Sequence, residues 1–185
     1  MTATIMVIGQ DWGGVPYFLK HQGRDEPTGN RTNENLELLL RSIGFESGNP
    51  GNPADSDSLF FSNLILCLKQ GALQAAVKPV WFRTCARNIF RELLDIVQPA
   101  VVVAMGLHAA RTILEAYGMN GANGMSLTDL VAGAPYALPG TGSVVFPVFH
   151  CGARGVNQNR PMSRQIDDWA RIGAWVRKRE QRGSE

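Results

Sequence analysis

Three polar side chains with complementary chemistry accompany apolar runs of the sequence. Asp11 stands in "VIGQDWGG", just after the run that ends at Ile8, and His150 closes the run "VVFPVFH". Asn63 lies inside a third run, "FFSNLIL", although strands disfavour Asn. A carboxylate can orient water, an imidazole N–H can stabilise developing negative charge, and a planar amide offers a donor beside an acceptor. These residue types predict a hydrolytic site that also reads a planar ligand edge.

The apolar runs predict the elements that position these side chains. Strands are expected at residues 4–8, 59–66, 100–105 and 144–149, and their nearly continuous Val, Ile, Leu and Phe content is typical of buried parallel strands. Helical patterns lie between and after them, in "NENLELLLRSIG", "RTCARNIFRELLDIVQP", "LHAARTILEAYG" and "SRQIDDWARIGAWVRKR". This alternation predicts an α/β fold, a three-layer α/β/α sandwich with a central, mostly parallel four-stranded sheet. Polar loops are expected at residues 46–58 and 120–142.

The carboxyl ends of the predicted strands define where a ligand should bind. In open parallel sheets, ligands lie beyond these ends. The strand ends carry Gln10 and Asp11, the end of "FFSNLIL", Gly106 and His150. We therefore expect these residues at one edge of the sheet.

Composition limits the class of protein. The 185 residues, 44% hydrophobic and 18% charged, predict one globular domain spanning residues 1–185. No apolar run reaches the roughly 18 residues of a membrane span, and no secretion signal is recognised. Three widely spaced cysteines argue against a disulfide framework and for a cytoplasmic protein. His21, His108 and His150 show no metal-ligand spacing, so no metal site is expected.

Positive charge is concentrated near the C-terminus. The net charge is only +2, but residues 151–185 contain eight basic and four acidic residues, with a basic tail from about residue 177. This distribution is compatible with binding a polyanion such as nucleic acid. The alternative is a solvated helix face and tail.

Four segments together resemble the uracil-DNA glycosylase superfamily. "GQDWGG" resembles its first motif, "FFSNLILCLKQG" the strand that carries a base-reading Asn, and "VFPVFHCG" its second motif. "CARNIFRELLDIVQPAVVVAMGLHAARTIL" is similar to the helix, strand and helix start of the iron–sulfur branch. The resemblance implies a DNA glycosylase of base excision repair that hydrolyses the N-glycosidic bond of uracil or another deaminated base. Neither motif contains Lys, so a monofunctional enzyme without a Schiff-base step is expected.

The resemblance implies a role for each site residue. Asp11 would orient the attacking water and favour the sugar cation, and His150 would donate to the departing base. The backbone N–H of Gln10 would also donate to the base, and Asn63 would read the uracil edge. Gly13 stands where other branches place a bulky Tyr against the pyrimidine. Its small size widens the expected substrates to hypoxanthine, xanthine or substituted uracils.

Two further positions depart from the family pattern. Thr32 stands near the position where the family has a Phe that stacks on the flipped base; Tyr17 or Phe18 could substitute for that Phe, or the stacking could be lost. The iron–sulfur branch uses four cysteines. Cys67 and Cys85 match only its second pair, and Cys151 lies on another segment, so no cluster and no other cofactor is expected.

DNA contacts are expected from two segments. The helix start at Gly106 suits a phosphate, and Arg160 and Arg164 could hold others. Arg154 or Val156 could fill the gap left by a flipped base. The alternative for the segment after His150 is a plain polar loop before a helix.

Each assignment also has an ordinary structural alternative. Asp11 could be a turn residue, and His150 a hydrogen-bonded structural histidine. The function likewise has two alternatives: a glycosylase-fold protein that binds nucleic acid with weak or no catalysis, and a nucleosidase acting on free nucleosides. The expected partner is DNA containing uracil or another damaged base, bound by a monomer without a membrane.

Overall fold

The computed structural model describes residues 3–21, 29–49, 52–53, 58–71 and 75–183. The described strands are β1 Ile5–Asp11, β2 Gly48–Asn49, β3 Asn52–Pro53, β4 Leu59–Ile65, β5 Val101–Met105, β6 Tyr136–Ala137 and β7 Val144–Val148. The described α-helices are α1 Val15–His21, α2 Arg31–Arg41, α3 Pro79–Cys85, α4 Arg91–Val97, α5 Leu107–Ala116, α6 Leu127–Gly133 and α7 Met162–Gly183. A π-helical turn at Ala86–Phe90 joins α3 to α4, and a second one occupies Gly155–Asn159.

The main sheet has five strands in the order β4-β1-β5-β7-β6. The four long strands are parallel, and only the short edge strand β6 is antiparallel to its neighbour. The predicted α/β fold with a mostly parallel sheet is therefore confirmed, with one strand more than the four expected. Strand β6 has only two residues, too few to produce an apolar run in the sequence.

One hydrophobic core lies on each face of the sheet and packs it against helices, so the fold has three layers. Alternate residues of β1 point to opposite faces: Met6 and Ile8 enter the core under α3, α4 and α5. Ile5 and Val7 enter the core under α2 and α7, which also contains the fully buried Trp169. Because apolar side chains cover both faces of the sheet, its strands have the continuous apolar sequence seen above.

Two regions predicted to be irregular contain regular elements. Residues 120–142 contain a 3₁₀ turn at Asn120–Gly124, α6 and β6 rather than one polar loop. Ser126 caps α6 through a reciprocal pair of hydrogen bonds with Asp129. The loop expected at 46–58 contains β2 and β3, and part of it lies outside the described residues. The basic tail belongs to the last turns of α7 as far as Gly183.

Along β1, the pairing with β5 ends earlier than the pairing with β4. Its pairing with β4 continues to Asp11 and Ile65, whereas its pairing with β5 ends at Ile8 and Ala104. The four parallel strands have the order second, first, third, fourth along the chain, so β1 and β5 flank the topological switch point. A crevice at the carboxyl edge between these two strands is the expected ligand site of such a sheet.

Candidate active site

The three predicted site side chains share one face of the sheet. Ile5 and Val7 of β1 face the α2 and α7 layer, and by strand alternation Gly9 and Asp11 follow them. Asn63 is the β4 partner of Gly9 in parallel register. Val148 at the end of β7 faces the same layer, and His150 comes two residues later.

Asp11 is held by two hydrogen bonds and one ion pair. The Gly13 N–H donates to Oδ1 at 2.7 Å, and the Gln10 side-chain amide donates to Oδ2 at 2.8 Å. Gly13 has a φ of 81°, which a glycine adopts without strain, and this turn aims its N–H at the carboxylate. The ion pair is with Lys69, whose Nζ lies 3.1 Å from Oδ1.

Lys69 is a residue of this site that the sequence did not reveal. It follows β4, and its side chain is 5% exposed while that of Asp11 is 9% exposed. The backbone of Lys69 forms a parallel bridge with Gly14, and its carbonyl accepts the Val15 N–H at 3.3 Å. A buried ammonium therefore reaches the site from the segment after β4, although neither sequence motif contains Lys.

Asn63 presents its amide over a glycine. A Cβ at Gly9 would collide with Asn63 Oδ1, so only Gly9 leaves room for this side chain. The Asn63 side-chain amide is half-buried and makes no hydrogen bond to any of the described residues. Its donor and acceptor are thus available to a ligand in the crevice.

His150 is arranged as a neutral hydrogen-bond donor. The Gly152 N–H donates to His150 Nδ1 at 3.0 Å, so in the neutral ring the proton resides on Nε2. The side chain keeps a solvent-exposed surface, yet the protein atoms around it desolvate the ring, and this burial lowers the pKa of His150 below its usual 6.5. The free Nε2–H can donate to a ligand without a charge on the imidazole.

Two glycines and the start of α2 shape the surroundings of His150. A Cβ at Gly152 would lie 3.0 Å from the His150 ring and 2.9 Å from Thr32 Oγ1. A Cβ at Gly155 would overlap the His150 carbonyl. Thr32, on the first turn of α2, is therefore a close neighbour of the imidazole.

Cys151 and Asn35 fasten α2 to the chain after β7. The Cys151 thiol donates to the Thr32 carbonyl at 3.4 Å, and the Asn35 amide donates to the Cys151 carbonyl at 2.6 Å. Burial raises the pKa of Cys151 to about 12, so the thiol stays protonated and serves as a structural donor.

The predicted DNA-contact residues are in different situations. Arg154 and Arg164 are solvent-exposed; Arg154 Nε donates to Gln158 Oε1 at 3.2 Å, and Arg164 lies 3.7 Å from the exposed Asp167. Arg160 instead makes two charge-assisted hydrogen bonds to Asp168, at 2.6 and 2.7 Å, and leaves one terminal nitrogen outside this pair. Arg160 therefore also fixes the π-helical turn to α7.

Gly106 begins α5 with a φ of 90°, and its N–H donates to the Val148 carbonyl at 2.8 Å. This amide links the ends of β5 and β7. Any anion at this helix start would therefore use the N–H groups that follow it. The segment after His150 is helical from residue 153 to 159 rather than a loop, and Val156 in it is half-buried.

The cysteines lie in two places. Cys85 is in the core under α3, α4 and α5, where burial raises its pKa, and the exposed Cys67 is beside it. Cys151 is in the opposite core. Within the described ranges, no group of three His, Cys, Asp or Glu side chains is placed to hold a metal ion.

The arrangement combines a held carboxylate, a free amide and a neutral imidazole donor at one edge of a parallel sheet. It can orient water, bind a planar polar edge and stabilise an anion. None of the helices in the described part of the chain has the length and apolar character needed to cross a bilayer.

Comparison with models of known protein families gives a match over most of the chain. A family model described as the uracil DNA glycosylase superfamily matches residues 2–172. The match extends from before β1 to within α7 and contains every residue of the candidate site. No curated protein matches the chain.

Proposed function

The chain belongs to the uracil DNA glycosylase superfamily, and on this premise we propose that it hydrolyses the N-glycosidic bond of uracil or another deaminated base in DNA. The observation that carries the proposal is the placement of Asp11 and Asn63 at the carboxyl ends of β1 and β4, with His150 just beyond the same end of β7 and next to the start of α2. Such a site must take the base out of the stack, because chemistry at the glycosidic bond needs an extruded nucleotide.

In the proposed mechanism, His150 acts on the leaving group. The bond between the sugar C1′ and the base nitrogen breaks, and its electron pair leaves with the base. The His150 Nε2–H donates to the base carbonyl on which this negative charge accumulates. A neutral imidazole suits this role, since Nδ1 is already occupied by the Gly152 N–H and burial lowers the pKa of the ring.

Asp11 acts on the nucleophile. Its carboxylate holds a water molecule beneath C1′ and favours the positive charge that develops on the sugar. The water oxygen bonds to C1′, one water proton passes to the carboxylate, and the products are the free base and an abasic sugar. The Lys69 side chain is engaged in an ion pair with Asp11, and we propose a monofunctional hydrolysis without a Schiff-base step.

The residues around the base favour a broad substrate range. Gly13 adds no side chain at the end of β1, and Thr32 contributes a small hydroxyl-bearing side chain beside His150. The amide of Asn63 supplies one donor and one acceptor to the base edge. We therefore propose uracil, hypoxanthine and xanthine as the bases to be tested first.

DNA binding is assigned chiefly to exposed cations. Arg154 and Arg164 are solvent-exposed, and although Arg154 Nε donates to Gln158, the remaining N–H groups of both side chains can contact phosphates; Arg160 can add its remaining nitrogen. The N–H groups of the first turn of α5, after Gly106, offer a further phosphate position. We propose a monomer acting on damaged DNA as the working form.

The direct test is a cleavage panel. Oligonucleotides carrying uracil, hypoxanthine, xanthine or a mismatched thymine, single- and double-stranded, are incubated with the protein and then treated with alkali to break abasic sites. We expect release of at least one deaminated base, and a loss of roughly 10²–10³-fold in rate for His150→Ala, the size found on removing one anion-stabilising donor. An unchanged rate in this variant would refute its role.

Two controls separate the alternative functions. Asp11→Asn should lose most turnover and retain DNA affinity, whereas a protein that only binds DNA has no turnover to lose. A nucleosidase would act on free deoxynucleosides, and its activity would lack the steep salt dependence of DNA binding.

A further inference from the structure

We infer that Lys69 is the positioning residue of the Asp11 carboxylate, a role that rests on the proposed hydrolysis. Its Nζ lies 3.1 Å from Asp11 Oδ1, and both side chains are less than one-tenth exposed. A surface ion pair is weakened by water and salt, but a pair this deeply buried has a fixed geometry and little screening. The Lys69 side chain is therefore a fixed neighbour of the Asp11 carboxylate.

The hydrogen bonds assign a separate task to each carboxylate oxygen. A carboxylate oxygen accepts about two hydrogen bonds. Oδ1 accepts from the Gly13 N–H and forms the ion pair with the Lys69 Nζ, so two groups already lie against this oxygen. Among the described residues, the donor to Oδ2 is the Gln10 amide, which leaves an acceptor position for the attacking water. Lys69 thus determines that Oδ2 is the oxygen that holds water, and it prevents rotation of the carboxylate.

The backbone of Lys69 is anchored to the same loop that carries Asp11. Gly14 forms a parallel bridge with Lys69, and the Val15 N–H donates to the Lys69 carbonyl at 3.3 Å. The bridge joins the segment after β4 to the segment after β1. The ammonium and the carboxylate therefore keep a fixed separation, and catalysis is sensitive to displacements of about 1 Å at this distance scale.

The experiment is a double-variant cycle on the chemical step. Single-turnover rates and DNA dissociation constants are measured, with the base that the wild-type protein excises, for Lys69→Met, Asp11→Asn and the double variant. We expect Lys69→Met to lower the rate by about 10²-fold while the dissociation constant changes less than about twofold. In the Asp11→Asn background, the same change should alter the rate less than about twofold, because Lys69 acts through Asp11.

Three further variants sharpen the result. Lys69→Arg keeps a cation and should recover at least about tenfold of the lost rate. Lys69→Gln keeps a neutral donor and replaces Lys69→Met if that variant does not fold, as judged by its unfolding curve. Lys78→Met removes an equal charge from an exposed position just before α3 and should leave the chemical rate unchanged.

The outcomes that overturn the inference are distinct. Equal losses in the wild-type and Asp11→Asn backgrounds would make Lys69 a structural residue only. A weaker dissociation constant with an unchanged rate would make it a phosphate contact. If borohydride reduction traps a covalent adduct of abasic DNA with the wild-type protein but not with Lys69→Met, Lys69 would be a nucleophile. A wild-type protein that releases no base would refute the proposed function itself, whereas an active one with a fully active Lys69→Met variant would refute this inference alone.

Discussion

The buried ion pair predicts a large and asymmetric effect of Asp11→Asn on stability. Asn retains the shape of the side chain and can still accept the Gly13 N–H. However, it removes the negative charge beside Lys69, whose side chain is 5% exposed. It also turns one carboxylate oxygen into a donor, so an amide N–H would face either the Gln10 amide or the donors at Oδ1.

The magnitude follows from this burial. Removing one member of a buried ion pair costs about 3–5 kcal/mol, because the remaining charge stays buried without compensation. For a chain of this size, that loss lowers Tm by about 6–20 °C. Domains are stable by about 5–15 kcal/mol, so the variant should still fold at 25 °C, with a small margin.

Adding Lys69→Met as a second substitution tests the direction of the stability change. Adding Lys69→Met to Asp11→Asn removes the orphaned ammonium, and buried pairs replaced by neutral groups of similar volume are often equally stable. The double variant should therefore be more stable than Asp11→Asn alone. The assay is urea unfolding followed by tryptophan fluorescence, since Trp169 is fully buried and reports on the core.

A matched control uses an exposed pair. Glu34→Gln breaks the contact with Arg31, whose side chain is 73% exposed, and should change stability by less than about 1 kcal/mol. An Asp11→Asn variant as stable as this control, or a double variant that loses the sum of the two single losses, would refute the buried ion pair.

Four other outcomes are expected. Burial lowers the pKa of His150, so the unfolded chain binds more protons than the folded chain as the pH falls through about 6.5. The free energy of unfolding should therefore fall from pH 7.5 to 5.5 more in the wild type than in His150→Gln, and equal falls in urea unfolding would contradict this. Gly9→Ala should displace the Asn63 amide and lower kcat/KM by about tenfold or more, the size expected for losing a hydrogen bond of about 1.4 kcal/mol, in the cleavage assay. Native alkylation followed by mass spectrometry should modify Cys67 first and Cys151 only on unfolding, because burial raises the pKa of Cys151 to about 12. Arg154→Ala and Arg164→Ala should each reduce the log–log salt slope of DNA binding by about one, whereas Arg160→Ala should mainly lower Tm because it leaves Asp168 buried and unpaired.

The sequence predicted the long strands because their signal is local. Each is a nearly continuous apolar run, and buried parallel strands between helices have that composition. The edge at which Asp11 and His150 lie followed from the same reasoning, since parallel strands have their carboxyl ends together. The positions of both residues at the ends of β1 and β7 thus needed no side-chain information.

Lys69 was missed because its partner is far along the chain. The segment "CLKQG" has no periodicity, and the contact with Asp11 exists only because β1 and β4 are neighbours in parallel register. The pairing of Arg160 with Asp168 is hidden for a similar reason, since it joins a π-helical turn to α7. By contrast, α6 had a readable signal: Ser126 and Asp129 have capping-box spacing within a Gly-rich stretch.

Under the proposed function, the pairing of Asp11 with Lys69 would also affect how DNA approaches the site. A lone carboxylate at the mouth of the crevice would repel every phosphate of an incoming strand over a range of several ångströms. With its counter-ion 3.1 Å away, the floor of the crevice behaves as a dipole, whose field decays much faster with distance. The phosphates of the approaching strand are therefore repelled only weakly at long range. The negative charge of the Asp11 carboxylate acts on the sugar only when the two are in close contact.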